Sequence, residues 1–168
     1  MGYTVRPART RDVRSIRRLI DANVPSGRLL DKPTVTLYED IQEFWVACGG
    51  EDGGVIGCAA LHVMWEDLAE IRTIAVDAVH QGNGAGNDLV TALLAAAREL
   101  GVSRVFVLTF AVTFFRRHGF AEISSDAATT PKVYTELLRS YDEGVAEFLA
   151  LDRVKPNTLG NTRMLLRL

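Results

Sequence analysis

Cysteine is scarce in this chain: Cys48 and Cys58 are the only two in 168 residues, and no Cys-x-x-Cys or His-x-x-x-His spacing accompanies them. A disulfide framework and a structural metal both lack support. The two thiols, one on each side of the glycine-rich stretch 49–54, read as reduced core residues. Long apolar runs are absent too. None approaches the roughly 18 residues of a membrane-spanning helix, and no secretory hydrophobic segment follows Met1, so a soluble, cytoplasmic protein is expected. Charge of one sign is also missing: Lys plus Arg number 19 against 21 Asp plus Glu, for a net charge of -2. That balance gives no general attraction for nucleic acid, and the local cluster Arg6, Arg9, Arg11, Arg14, Arg17 and Arg18 reads as a solvated helix face.

What the chain does have is apolar content, 48% of its residues. That is enough for one domain over residues 1–168, burying about two thirds of its unfolded surface. Thr10 is placed to cap a helix through Val13, Ile16, Leu19 and Ile20. The stretch 25–33 breaks it, and a short helix follows over 34–42. Residues 44–48, 55–65 and 69–76 read as an antiparallel meander of three strands. A strand over 102–108, continuous in Val, Phe and Leu, suits burial on both faces, and 131–139 and 141–149 read as helices before a closing strand over 164–168.

Between the meander and the buried strand lies the most informative segment, Gln81-Gly82-Asn83-Gly84-Ala85-Gly86. Leu89, Val90, Leu93, Leu94, Ala97 and Leu100 then mark one helical face that stops at Gly101. Glycines at alternate positions let the backbone turn tightly and leave its amides uncovered. A helix N-terminus adds unpaired amides and the positive end of its dipole, so the turn is a seat for a phosphate or pyrophosphate. A P-loop would need Gly-Lys-Ser/Thr here, whereas Ala85, Gly86 and Asn87 follow Gly84. A dinucleotide fingerprint would need Gly or Ala where Asn87 stands.

What remains resembles motif A of the GNAT superfamily of N-acetyltransferases, read here as Gln81-x-x-Gly84-x-Gly86 after a strand ending Ile74-Ala75-Val76-Asp77. The likeness extends to Val5-Arg6-Pro7-Ala8 with Asp12, Val13 and Ile16, and to Phe114-Phe115 with His118-Gly119-Phe120. Glu70 to Val76, Phe106 to Thr109, and the tail Lys155-Pro156-Asn157 with Asn161 and Arg163 resemble the short amino-acid N-acetyltransferases of the N-acetylglutamate synthase type. The resemblance implies an α+β fold, an α/β/α sandwich on a mixed, centrally splayed sheet. It implies acetyl-CoA as cosubstrate and no metal. The pyrophosphate would lie on Gln81, Gly82, Asn83, Gly84, Ala85 and Gly86, and the pantetheine on the backbone of Ile74, Ala75 and Val76. Phe115 would stand beside the cofactor where many relatives place a tyrosine acid.

Acetylating an α-amine at neutral pH requires a group that accepts a proton before attack, and Glu70 is the candidate. Strict alternation would set Glu70, Arg72, Ile74 and Val76 on one face. Glu70 and Arg72 also have the spacing of a same-face ion pair. Thr109 aligns with a serine implicated in protonating the leaving thiolate, and a hydroxyl there equally suits a strand-end cap. Arg72, Lys32 and Arg163, with Asn161 and Thr162 as polar partners, are candidates for gripping an acceptor carboxylate. No Cys or Ser is paired with a His as a nucleophile, which favours direct attack in a ternary complex. The expected reaction is acetylation of glutamate or glutamine at the first step of arginine synthesis, with a homodimer allowed. The alternatives are another small amine or a protein N-terminus as acceptor, or a non-catalytic CoA sensor.

Overall fold

The structure is a computed structural model that describes residues 2–29, 31–49, 53–124, 129–151 and 160–168. Most of the tail motif that begins at Lys155 lies outside the described residues. In chain order the elements are β1 (Thr4–Pro7), α1 (Val13–Asp21), α2 (Thr34–Glu39), β2 (Phe44–Gly49), β3 (Gly54–Trp65), β4 (Leu68–Val76), α3 (Ala85–Glu99), β5 (Arg104–Thr109), α4 (Val112–Arg117), β6 (Ala121–Glu122), α5 (Pro131–Leu137), α6 (Glu143–Phe148) and β7 (Thr162–Arg167). The strands form one seven-stranded sheet in the order β1-β2-β3-β4-β5-β7-β6. All pairs are antiparallel except β4 with β5, which are joined by the α3 crossover.

Helix boundaries follow local chemistry. Thr10 opens a short 3-10 turn rather than capping α1. Asp12 closes that turn, accepting from the Arg9 amide at 2.8 Å and pairing with Arg6 at 2.7 Å. Asp142 accepts from the Val145 amide at 2.9 Å, so α6 starts at Glu143 rather than at Tyr141. Helix α3 buries Ala85, Leu89, Val90, Leu93, Leu94 and Ala97 against one sheet face. Each of its Leu and Val side chains is worth about 1.5–3 kcal/mol of burial. Leu100, expected on that face, is 62% exposed because Gly101 (φ +82°) turns the chain away there. The opposite sheet face is covered by α1 and α2 over β2–β4, and by α5 and α6 over β5 and β7.

Two irregularities in β4 shape the surface around it. The strand pairs with β5 only over Leu68–Glu70 against Arg104–Phe106, and from Ile71 onward the two part. Against β3, Ala75 faces Cys58 and Arg72 faces Ala60, so Thr73 and Ile74 together oppose Ala59 in a β-bulge, with Thr73 at φ +55°. The extra residue reverses the alternation. Ala69 and Ile71 pack toward α3 before the bulge, and Ile74 and Val76 do so after it. Glu70 and Arg72 therefore point to the face opposite Ile74 and Val76, which corrects the single face expected from strict alternation.

Candidate active site

Where β4 and β5 diverge, a cleft of about 370 Å³ opens, lined by the Thr73–Val76 edge of β4, the Val107–Thr109 end of β5, and Gln81. At one end the chain enters α3 through Gly82 (φ +82°) and Gly84 (φ +90°), conformations that favour glycine. Gly84 is the N-cap and no side chain caps the helix, so the first-turn amides are left for a ligand. The Gln81 side-chain amide donates to the Val76 carbonyl at 3.2 Å, tying the turn to the end of β4. Gln81, Gly82 and Asn83 are exposed while Ala85 is buried. A Cβ on Gly86 would sit 3.6 Å from the Phe114 ring, which packs the turn from behind. Phe115 lies elsewhere: it is fully buried, edge-on to Phe114 and Phe120, and contributes nothing to the cleft lining. That corrects its expected place beside the cofactor. The reason is that its side of α4 faces the core under α3.

A second, smaller cavity of about 70 Å³ adjoins the cleft and holds Glu70, Arg72 and Glu147 in its wall. Glu70 and Arg72 are 3% and 8% exposed. Arg72 donates from Nη2 and Nε to Glu70 Oε2 at 2.7 and 3.1 Å, and from Nη1 to both Asp142 oxygens at 2.9 Å. Burial pushes the Glu70 carboxyl up, against the pull of Arg72. With a permanently charged guanidinium in contact, Glu70 stays the anionic partner. Burial also opposes the charge on Arg72, but Glu70 and Asp142 outweigh it. The same guanidinium overcomes burial at Asp142 and holds it down at about 2.

Of the cations proposed for a carboxylate, Arg72 is thus engaged by two acids. Arg163 donates to the backbone carbonyls of Phe148 and Glu147 at 2.6 and 2.8 Å and lies 5.8 Å over the Phe106 ring. Lys32 and Asn161 line the small cavity, and Asn161 reaches the cleft as well. Thr109 sits at the cleft wall, where its hydroxyl oxygen accepts from the Ala111 amide at 2.9 Å.

Four residues here escaped the sequence reading. Arg28 lines both cavities from the loop after Gly27. Asp142, Gly144 and Glu147 arrive on α6, about 70 positions from Arg72. The signal for Glu147 was a lone acid among Val145, Ala146, Phe148 and Leu149, and every residue from Gly144 to Phe148 is buried. Burial and the Glu70 charge push the Glu147 carboxyl up to about 7, against the pull of Arg72 and Arg163. Chemically, the arrangement can hold an extended, phosphate-bearing carrier against an open strand edge and bring its far end to a small pocket of buried acids.

The sequence model of the acetyltransferase (GNAT) family matches residues 14–120, and the chain belongs to that family. It is 56% identical over 164 residues to an amino-acid acetyltransferase of Mycobacterium tuberculosis, a match covering 96% of this chain and 92% of that protein. Its fold matches the crystal structure of Rv2747 from M. tuberculosis in complex with CoA and NLQ at a TM-score of 0.94 and 55% identity, over 98% of this chain and 99% of that chain. An N-acetylglutamate synthase from Neisseria gonorrhoeae, solved with coenzyme A and N-acetyl-glutamate, matches at a TM-score of 0.78 and 26% identity. That match covers 100% of this chain but only 35% of the synthase chain. Among the described residues no helix is long and apolar enough to cross a membrane.

Proposed function

We propose that this protein transfers the acetyl group of acetyl-CoA to the α-amino group of glutamate or glutamine, as the first step of arginine synthesis in the cytoplasm. One observation carries the reading: the unpaired β4 edge and the uncapped N-terminus of α3 share a cleft that leads to a small cavity walled by buried acids. The amides from Gly82 to Gly86 suit a pyrophosphate. The backbone of Ile74 to Val76 has the free strand edge that an extended, amide-bearing pantetheine arm can join. The thioester at the end of that arm then lies near Thr73 and Thr109, next to the small cavity. The 56% identical M. tuberculosis relative is named an amino-acid acetyltransferase, which supports an amino acid as acceptor.

In the small cavity Glu70 faces the acceptor's ammonium. Arg28 and Lys32 at the cavity wall supply positive charge for the acceptor's carboxylate, because Arg72 and Arg163 are already committed to protein acceptors. The Thr109 hydroxyl uses its oxygen to accept from Ala111, which leaves its proton to donate toward the leaving thiolate. Attack is direct, within a ternary complex. The test is free-thiol release from acetyl-CoA against a panel of amino acids, polyamines and peptides. Turnover led by glutamate or glutamine is expected. Turnover confined to polyamines or peptides refutes the assignment.

A further inference from the structure

The charged groups around the small cavity are unequally committed. Arg72 is shared between Glu70 and Asp142, and Arg163 spends its donors on the carbonyls of Glu147 and Phe148. Among the described residues, no donor is hydrogen-bonded to the Glu147 carboxyl, although the residue is only 8% exposed and lines the same cavity as Glu70. Its main chain, by contrast, is clamped at both ends of α6. Asp142, the N-cap, is held by Arg72, Gly144 leaves no room for a Cβ beside that guanidinium, and Arg163 grips the last carbonyls. A fixed backbone and a carboxyl that no described donor holds, on a residue lining a cavity, are what a ligand-facing acid requires.

The groups facing Glu147 are Glu70 and Arg72 from β4, Arg163 from β7, Glu143 on its own helix, and Lys32 and Arg28 across the cavity. Fully ionised, the inner set of Glu70, Asp142, Glu147, Arg72 and Arg163 carries one surplus negative charge, complementary to an ammonium. Glu70 Oε2 is held by two nitrogens of one guanidinium, whereas among the described residues no donor holds the Glu147 carboxyl, which burial pushes up to about 7.

We propose that Glu147 is a catalytic residue whose carboxylate receives the proton shed by the acceptor's ammonium, while Glu70 remains the fixed anion that orients that group. The step rests on the acetyl-transfer reading above. One ammonium proton moves to Glu147, and the freed lone pair forms the N–C bond to the thioester carbon. The C–S bond breaks with its electron pair on sulfur, the second nitrogen proton ends on that thiolate to give the free thiol, and Glu147 returns its proton to water between turnovers.

The experiment is Glu147→Gln in the full chain, with kcat read from pH 5.5 to 9 against glutamate and glutamine. A fall of about 100-fold or more is expected. The acid-side inflection near neutrality is expected to disappear, with KM for acetyl-CoA unchanged, and Glu147→Asp should restore part of the rate and the inflection. Retained turnover overturns the proposal, and so does lost turnover with the inflection still present, because a purely structural part leaves the inflection in place. Infrared difference spectra over the same pH range read the carboxyl without turnover. A protonated-carboxyl band titrating near neutrality and missing from the variant is expected; a parent without that band, or a variant that keeps it, overturns the assignment. If the parent acetylates no amino acid, the functional reading fails, and the infrared result still decides for or against Glu147.

Discussion

Replacing Gly144 by alanine sets two effects of opposite sign against each other. Helix propensity alone favours the change, since Gly→Ala within a helix gains up to about 1 kcal/mol. The structure opposes it. A Cβ at this position would lie 2.6 Å from Arg72 Cζ, 2.7 Å from Nη2 and 3.0 Å from Nη1. An arginine end group normally swings aside at little cost, but this one is 8% exposed and tied by hydrogen bonds to both Glu70 and Asp142. Relief requires either the guanidinium or α6 to move, and each motion opens at least one charge-assisted bond, worth about 1.5–3 kcal/mol. Opening the whole buried pair costs about 3–5 kcal/mol.

Gly144→Ala is therefore expected to lower stability by about 1–3 kcal/mol after the propensity gain is deducted, with Tm falling by about 2–4 °C for each kcal/mol. Urea denaturation of parent and variant at pH 7 measures it, and an unchanged m-value keeps the comparison two-state. Acetyl-CoA affinity should hold, because Gly144 lines the small cavity and not the cleft. A variant more stable than the parent by the propensity value would show that α6 does not rest on Arg72, and the clamp argument would fail.

Two further substitutions separate the other arguments. Glu147→Gln should remove a pH-dependent loss of stability. The parent carboxyl rises from its ordinary 4.5 to about 7 on folding, so the native state holds its proton more tightly and stability drops as pH climbs through that interval. The raw conversion is about 3 kcal/mol, and water at the open cavity reduces it to about 1–2 kcal/mol. The parent-minus-variant difference in denaturation free energy between pH 4.5 and 8 reads it, and a flat difference counts against the shift. Gly84→Ala puts a Cβ at φ +90° and 3.0 Å from the Tyr3 hydroxyl, so about 1–2 kcal/mol of strain and at least tenfold weaker CoA binding by calorimetry are expected. Unchanged affinity would place the pyrophosphate elsewhere.

The parts of the fold governed by local periodicity were legible in the chain. The Leu89–Ala97 stripe, the Gly82 and Gly84 turn and the Val105–Val107 run each encode their element within a few residues, and each forms where expected. The acid cluster was not legible in the same way. Arg72 meets Asp142 across 70 positions, and Gly144 matters only because a guanidinium happens to lie on it. Nor does anything in Arg72-Thr73-Ile74 announce a bulge: a threonine at φ +55° is held there by the surrounding pairing, not by its own preference.

That bulge explains why a single strand serves two halves of a reaction. Without it, Glu70 and Arg72 would share a face with Ile74 and Val76, and two buried charges would lie on the apolar bed of α3 at a cost of several kcal/mol per ion. With one extra residue at Thr73, the charged pair turns toward α6, where Asp142 and Glu147 wait, and Ile74 and Val76 return to the α3 side. The same region is where β4 leaves β5, since pairing stops at Glu70 and the backbone beyond it has no strand partner on that side. A strand edge free to bind an extended carrier and an acid pocket free to bind an amine thus abut at a single residue. That adjacency is what direct transfer between two bound substrates needs, because the reacting atoms must close to about 3–3.5 Å.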